Sequence, residues 1–134
     1  MKCAIGLDYG TNSVRALMVN TANGREVGTA VWGYENGTNG VLLGRDPNLA
    51  RQNPADYIEG FYRSVGEAVQ AAGKHAGFQP ENVVGIGVDT TGSTPIPVNK
   101  QGVALATLSE FKNNLAAHAW LWKDHTSHAE ALEI

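Results

Sequence analysis

Ile5-Gly6-Leu7-Asp8-Tyr9-Gly10-Thr11-Asn12-Ser13-Val14-Arg15 runs as a short apolar strand into an acid, reverses through glycine and leaves as a second strand. An aspartate at a strand end can hold a hard cation through oxygen. A glycine in the turn lets backbone N–H groups approach a phosphate that the same cation touches. The same residue types also make an ordinary hairpin turn, since Asp, Gly and Asn all favour turns, and spacing alone leaves both readings open. Val88-Asp89-Thr90-Thr91-Gly92-Ser93-Thr94 repeats the design later in the chain. Two such turns facing each other would form a cleft.

On either side of the first turn the pattern is that of strands. Lys2 to Asp8 is short and apolar, and Ser13 to Asn20 alternates Val14, Ala16 and Met18 with Arg15, Leu17 and Val19. Asn23-Gly24 tolerates positive φ and predicts a second hairpin, with a third strand over Glu26 to Tyr34. Glu35 to Arg51 is rich in Gly, Asn and Asp without a period and reads as a long surface loop, with room for a short strand near Val41 to Leu43. Asn36-Gly37-Thr38, although it matches a glycosylation triplet, reads as part of that loop.

Asn53 as N-cap, Pro54 at the first helical position and Asp56 in the first turn open the clearest helix. Its apolar stripe is Ile58, Phe61, Tyr62, Val65, Ala68, Val69 and Ala72, and Gly73 or Gly77 ends it. Val83 to Val88 is a continuous apolar run, expected to be buried on both faces and to deliver Asp89 at its carboxyl end, where α/β sheets bind ligands. Asn99-Lys100-Gln101-Gly102 predicts another hairpin, Ala119 to Trp122 an extended segment, and Ser127 with Glu130 a reciprocal cap on a final helix.

This order, β-β-β-loop-α-β, predicts by analogy an α/β fold of ribonuclease H-like type. At 134 residues the chain is one domain's worth. A formal net charge of −3 gives no general attraction to nucleic acid or anionic lipid. The single cysteine, Cys3, lies in the first strand and reads as core, so no internal disulfide can form. No apolar run approaches the ~20 residues of a membrane span and no secretory signal opens the chain, which predicts a cytoplasmic protein.

Asp89 beside Thr90, Thr91, Ser93 and Thr94, with Gly92 among them, can hydrogen-bond a polyol or a phosphate; it can equally cap its own loop. Trp120-Leu121-Trp122-Lys123-Asp124-His125 offers an aromatic face for a sugar with a lysine and an acid for its hydroxyls, or is a buried strand end with a solvated Lys-Asp pair. His118, His125 and His128 invite a metal reading, with His125 and His128 three residues apart, but no third protein ligand for zinc is evident. Walker loops, G-x-G-x-x-G and the nucleophile elbow are absent.

With these residues in view, Asp8-Tyr9-Gly10-Thr11-Asn12-Ser13-Val14-Arg15-Ala16 resembles the first phosphate motif of the FGGY family of sugar kinases, relatives of actin, hexokinase and the heat-shock ATPases. Gly85-Ile86-Gly87-Val88-Asp89-Thr90-Thr91-Gly92-Ser93-Thr94-Pro95 and Leu121-Trp122-Lys123-Asp124-His125-Thr126 are similar to the branch of that family that phosphorylates L-ribulose, and the helix opening Asn53 to Glu59 fits as well. The resemblance runs through the whole chain in order. It implies ATP- and Mg2+-dependent phosphorylation of L-ribulose at its terminal hydroxyl, in arabinose breakdown.

By the same resemblance, Asp8 is the metal-associated acid, Gly10, Thr11 and Asn12 form the phosphate turn, and Arg15 is its neighbour. Asp89, Thr91, Gly92 and Ser93 fall at sugar-contacting positions, and Trp122, Lys123 and Asp124 close that side of the site. The family is several times longer, so the expectation is an N-terminal part of its first domain, incomplete, with the second domain and the general base beyond Ile134 and no activity in the chain alone. A homo-oligomer is compatible with the resemblance. Two other readings stay open on the same fold: a metal-dependent nuclease using Asp8 and Asp89, and a non-catalytic ATPase-like binding module. The acidic balance opposes the nuclease.

Overall fold

Val14, Ala16 and Met18 are fully buried while Arg15 and Leu17 face outward, the alternation that a half-buried strand requires. A computed structural model describes residues 1–134. In chain order the elements are β1 (Cys3–Tyr9), β2 (Ser13–Asn20), β3 (Glu26–Gly33), β4 (Arg51–Gln52), α1 (Pro54–Ala72), β5 (Val83–Thr90), β6 (Ala119–Trp120) and α2 (His128–Ala131). The chain divides into two compact units: Met1–Tyr34 with Tyr57–Thr90, and Glu35–Asp56 with Thr91–Ile134.

The first unit holds a four-stranded sheet in the order β3-β2-β1-β5. The β1, β2 and β3 strands form an antiparallel meander, and β5 returns parallel to β1. This is the ribonuclease H-like arrangement expected from the element order. Cys3, Ile5 and Leu7 on β1 join Val14, Ala16 and Met18 on β2 to make the buried face, and α1 covers it.

The contact between α1 and the sheet is closer than the sequence pattern indicated. Ile58 and Tyr62, expected in the core stripe, are 63% and 67% exposed. Gly60 and Ser64 take the central line instead, followed by Ala68 and Ala72 at the same four-residue spacing. A Cβ on Gly60 would overlap Val14 Cγ1 and come within 3.1 Å of the Trp32 ring, and one on Gly28 would overlap the Ala68 carbonyl. The Ser64 hydroxyl donates to Gly60 O at 2.7 Å, so its polarity is satisfied inside the helix. Small residues at the seam draw the backbones together and rotate the bulkier Ile58 and Tyr62 to the flank.

Helix entry follows the sequence. Asn53 Oδ1 accepts from Ala55 N–H at 3.0 Å and Asn53 O from Asp56 N–H at 3.0 Å. Asp56 is buried and does more than complement the dipole: its carboxylate accepts from Asn36 N–H and from Asn36 Nδ2 at 2.7 Å, anchoring the Gly/Asn-rich loop within the second unit. Tyr57 then receives the Tyr9 hydroxyl on its carbonyl at 3.2 Å, and the Tyr9, Tyr34 and Tyr57 rings meet edge to face. Burial pushes the Tyr9 phenol up.

Strand β5 departs from expectation. It is an edge strand and not a doubly buried one, with Val84, Ile86 and Val88 more than half exposed. Ile86 and Val88 pair in register with Ile5 and Leu7 and so share their face, but the cover of α1 does not extend to them. An apolar run signals that a strand can be buried on both sides; only neighbouring elements decide whether it is.

In the second unit β4 and β6 pair antiparallel, Leu42 bridges to Arg51 where a short strand was expected, and Asn99 to Val103 closes a turn with Gly102 at φ +78°. The final helix is only four residues long, and Ser127 makes no side-chain cap bond, so the reciprocal cap predicted with Glu130 does not form. Ser127 lies near φ −96°, ψ 18°, outside the extended conformation that aims a capping hydroxyl at the helix amides. Asp124 organises this unit. Its side chain, 5% exposed, pairs with Arg51, 4% exposed, and accepts from Ala50 N–H at 2.7 Å, Thr126 Oγ1 at 2.6 Å and Thr126 N–H at 3.2 Å. Burial pushes the Asp124 carboxyl up, but the hydrogen bonds from Arg51, Thr126 and Ala50 outweigh it and hold the group well below the usual carboxylate range.

Two glycines of one helix are expected to respond oppositely to alanine. Gly60→Ala should destabilise by ~1–3 kcal/mol through overpacking against Val14, whereas Gly66→Ala, with open space at its Cβ, should stabilise by ~0.5–1 kcal/mol. Urea unfolding of both variants checks the sign. Asp124→Asn should cost ~3–5 kcal/mol at pH 7, because Arg51 is left buried without its counter-charge. The folded carboxyl titrates below the unfolded one, so the wild-type contribution is complete above about pH 4 and lost as the pH falls toward the folded value. Unfolding curves at pH 7 and pH 3 should show the gap between wild type and Asp124→Asn narrowing in acid.

Candidate functional site

Asp8 and Asp89 end two adjacent parallel strands at the same register position, so both carboxylates leave the same face of the sheet from backbones roughly 4.8 Å apart. The pairing is reached through matching stretches: Ile5, Gly6, Leu7 and Asp8 lie opposite Ile86, Gly87, Val88 and Asp89. Arg15 is the antiparallel partner of Asp8, and its guanidinium lies 3.8 Å from Asp8 Oδ2. Both side chains are 59% exposed, which makes this a screened surface pair worth at most ~1 kcal/mol. Neither group is committed to the fold, and either can turn to a ligand.

The turn that follows Asp8 is closed from within. Gly10 N–H donates to Ser13 O at 2.9 Å, and Tyr34 N–H donates to Asn12 O at 2.9 Å. The Gly10 amide is thereby used in the turn, and a Cβ there would sit 3.4 Å from Ser13 O. Glycine keeps the turn's outer surface low beside the two aspartates. On the same face, Gly6, Gly85 and Gly87 leave a bare floor below the carboxylates. A Cβ at Gly85 or Gly87 would meet nothing within 4 Å, so packing inside the chain does not demand these glycines. Glycine inside a strand that no packing requires is a mark of close approach by a ligand or another backbone.

Two exposed carboxylates without a third acid or histidine fit Mg2+, which keeps several waters and takes one or two carboxylates together with phosphate oxygens. No group of three His, Cys, Asp or Glu side chains lies together as a complete metal cage would require. His118 is buried with Nδ1 at 3.0 Å from Asn114 O, and His128 Nδ1 lies 3.2 Å from His125 O.

The remaining sequence-predicted residues gather in the second unit. Thr91 and Thr94 hydroxyls meet at 3.3 Å across the turn, Ser93 sits at φ +58°, and Gly92 has open space around its Cα. Trp120 N–H donates to Pro95 O at 3.0 Å, which ties the exit of this hydroxyl turn to the strand that leads into Trp122 and Lys123. Trp122 is 56% exposed and Lys123 exposed, while Asp124 points inward to Arg51. The pair at this strand end is therefore a buried Arg-Asp pair, not a solvated Lys-Asp one. Asp89, grouped with the hydroxyl turn in the sequence, belongs by geometry to the Asp8 end, and its Oδ1 accepts the Thr90 amide at 3.0 Å.

Two features escape sequence reasoning. The bare glycine floor could have been found from the matching Ile-Gly-apolar-Asp stretches, since equal spacing in two parallel strands puts both glycines on one face. Arg51 has no such signal, because it stands at the end of an aperiodic loop, 73 residues before the aspartate it pairs with.

The family described as the FGGY family of carbohydrate kinases, N-terminal domain, matches residues 3–130. The ribulokinase of Vibrio parahaemolyticus is 42% identical over 130 residues, covering 97% of this chain and 22% of that protein. The ribulokinase of Halalkalibacterium halodurans is 37% identical over 142 residues, covering 99% and 24%. In fold, the crystal structure of xylulose kinase from Rhodospirillum rubrum superposes with a TM-score of 0.74 at 20% identity, covering 98% of this chain and 22% of that one. The chain thus spans about a quarter of the length of the curated relatives it matches. By the match over residues 3–130 and the identity to these relatives, the chain belongs to the FGGY family of carbohydrate kinases, in its N-terminal domain.

Proposed function

We propose that the chain forms the N-terminal part of the first domain of an ATP-dependent L-ribulose kinase. The observation that carries the reading is the pairing of Asp8 with Asp89 on one face, beside Arg15 and the Gly10 turn, in a chain 42% identical to a ribulokinase. In this reading Asp8 holds Mg2+, and the Gly10-Thr11-Asn12 turn with Arg15 meets phosphate oxygens. Asp89, Thr91, Gly92 and Ser93 bind sugar hydroxyls, Trp122 packs an apolar face of the sugar, and Lys123 donates to it. Asp124 serves this set by holding the segment that carries Trp122 and Lys123.

Bound Mg2+ would neutralise charge on the phosphates of ATP during transfer to the terminal hydroxyl of L-ribulose. The chain's own residues supply binding and orientation. The hydroxyl's proton goes to a general base supplied outside these 134 residues, as does most of the nucleotide platform. A positioned base is worth roughly 10²–10⁴-fold, and a lost platform removes orientation as well. The product, L-ribulose 5-phosphate, belongs to arabinose breakdown in the cytoplasm. A small sugar, and not nucleic acid or a membrane, is the partner; the net charge of −3 supports this. No helix is long and apolar enough to cross a membrane. A homo-oligomer is compatible with this reading.

The isolated chain should release no measurable ADP from ATP and L-ribulose in a coupled assay, and turnover equal to a full-length control would refute the assignment of the base. In a full-length kinase carrying this region, Asp8→Asn should lower kcat by at least about 100-fold and leave the KM for L-ribulose within about twofold. A collapse of sugar affinity with little change in kcat would transfer Asp8 to the sugar site.

A further inference from the structure

Arg51 is held from several sides within the second unit, and nothing in the phosphate or sugar roles uses it. Its Nε donates to Leu115 O at 3.3 Å and its Nη2 to Thr126 Oγ1 at 3.5 Å. It pairs with Asp124, and its guanidinium stacks over the Trp120 ring at 3.7 Å from the centroid. The backbone repeats the grip, with Leu121 N–H on Ala50 O at 3.1 Å and His125 N–H on Asn48 O at 2.8 Å. Leu121 is 2% exposed, whereas Trp122 and Lys123 between these anchors face outward. The segment Trp120 to Thr126 is held on both sides of two outward-facing residues.

A buried ion pair is an expensive way to stabilise a fold, because the cost of desolvating both charges offsets most of the attraction. Its distinctive property here is direction. A planar guanidinium that stacks on one residue and pairs or hydrogen-bonds with three others admits one arrangement of the segment, which a lysine could not enforce.

We infer that Arg51 is a positioning residue for sugar binding: through Asp124, Thr126 and Trp120 it fixes the orientation in which Trp122 and Lys123 meet the sugar. The inference rests on the reading of Trp122 and Lys123 as sugar contacts.

The test uses a full-length kinase that carries this region, with active sites counted by titration so that misfolded protein does not enter kcat. Arg51→Lys should raise the KM for L-ribulose about tenfold, with kcat and the KM for ATP within about threefold of wild type. Thr126→Val, which removes one hydroxyl and leaves the ion pair, should give a smaller rise in the same parameter and keeps the test informative if Arg51→Lys does not accumulate. In a Trp122→Ala background, Arg51→Lys should add less than about twofold, since residues acting through one another are not additive. Unchanged sugar KM in both variants, a parallel rise in the KM for ATP, or full additivity with Trp122→Ala would overturn the inference. A wild type that phosphorylates sugars but not L-ribulose would overturn the proposed substrate instead, and the same variants would then be read on the sugar that is turned over.

Discussion

The close seam between α1 and the sheet is the constraint on which the first unit depends. Gly60, Ser64, Ala68 and Ala72 present almost no bulk, and Gly28 offers its bare backbone in return. The helix therefore lies close enough for Val14 and Trp32 to fill the space above Gly60. Packing of this kind is intolerant of added volume, because interiors are dense and a single methyl must displace backbone or buried side chains. It also pins the opening of the helix near the carboxyl end of β1, where Tyr9 hands its hydroxyl to Tyr57.

Register sets what the carboxyl ends of β1 and β5 present. Strand faces alternate with a period of two, so a slip of one residue between β1 and β5 would send Asp8 and Asp89 to opposite faces. The observed register puts both on the face away from α1, above glycines that leave room for something large to approach. Arg15, fixed opposite Asp8 by the first hairpin, adds a positive charge next to Asp8. The proposed function draws on this mixed edge, where carboxylates for a cation and a guanidinium for a phosphate stand side by side.

The second unit solves a different problem. It has little regular structure, and only Val41, Ala50 and Leu121 form its apolar cluster. Order comes from a buried charge pair and a lattice of backbone bonds converging on Arg51 and Asp124. Directional interactions replace packing where the apolar residues are too few to define one arrangement. The consequence is that Trp122 and Lys123 project from a braced loop.

Local rules were enough for most of this: alternation specified β1 to β3, the Asn53-Pro54 entry specified α1, and Asp8 and Asp89 were recognisable at strand ends in segments resembling sugar-kinase motifs. Each of these depends on residues within one or two turns or on a motif short enough to read directly. Helical spacing puts Ile58 and Tyr62 in the core because it cannot tell a bulky stripe from a small-residue stripe beside it. The apolar run of β5 records what the strand tolerates, not what covers it. Arg51 was invisible because its meaning lies in Trp120, Asp124 and Thr126, all far along the chain. Local residue patterns specify the elements, their order and the acids at their ends. Which face of α1 meets the sheet, what covers β5 and the bracing of Trp122 by a distant arginine come only with folding, because they depend on which surfaces lie against each other in the folded chain.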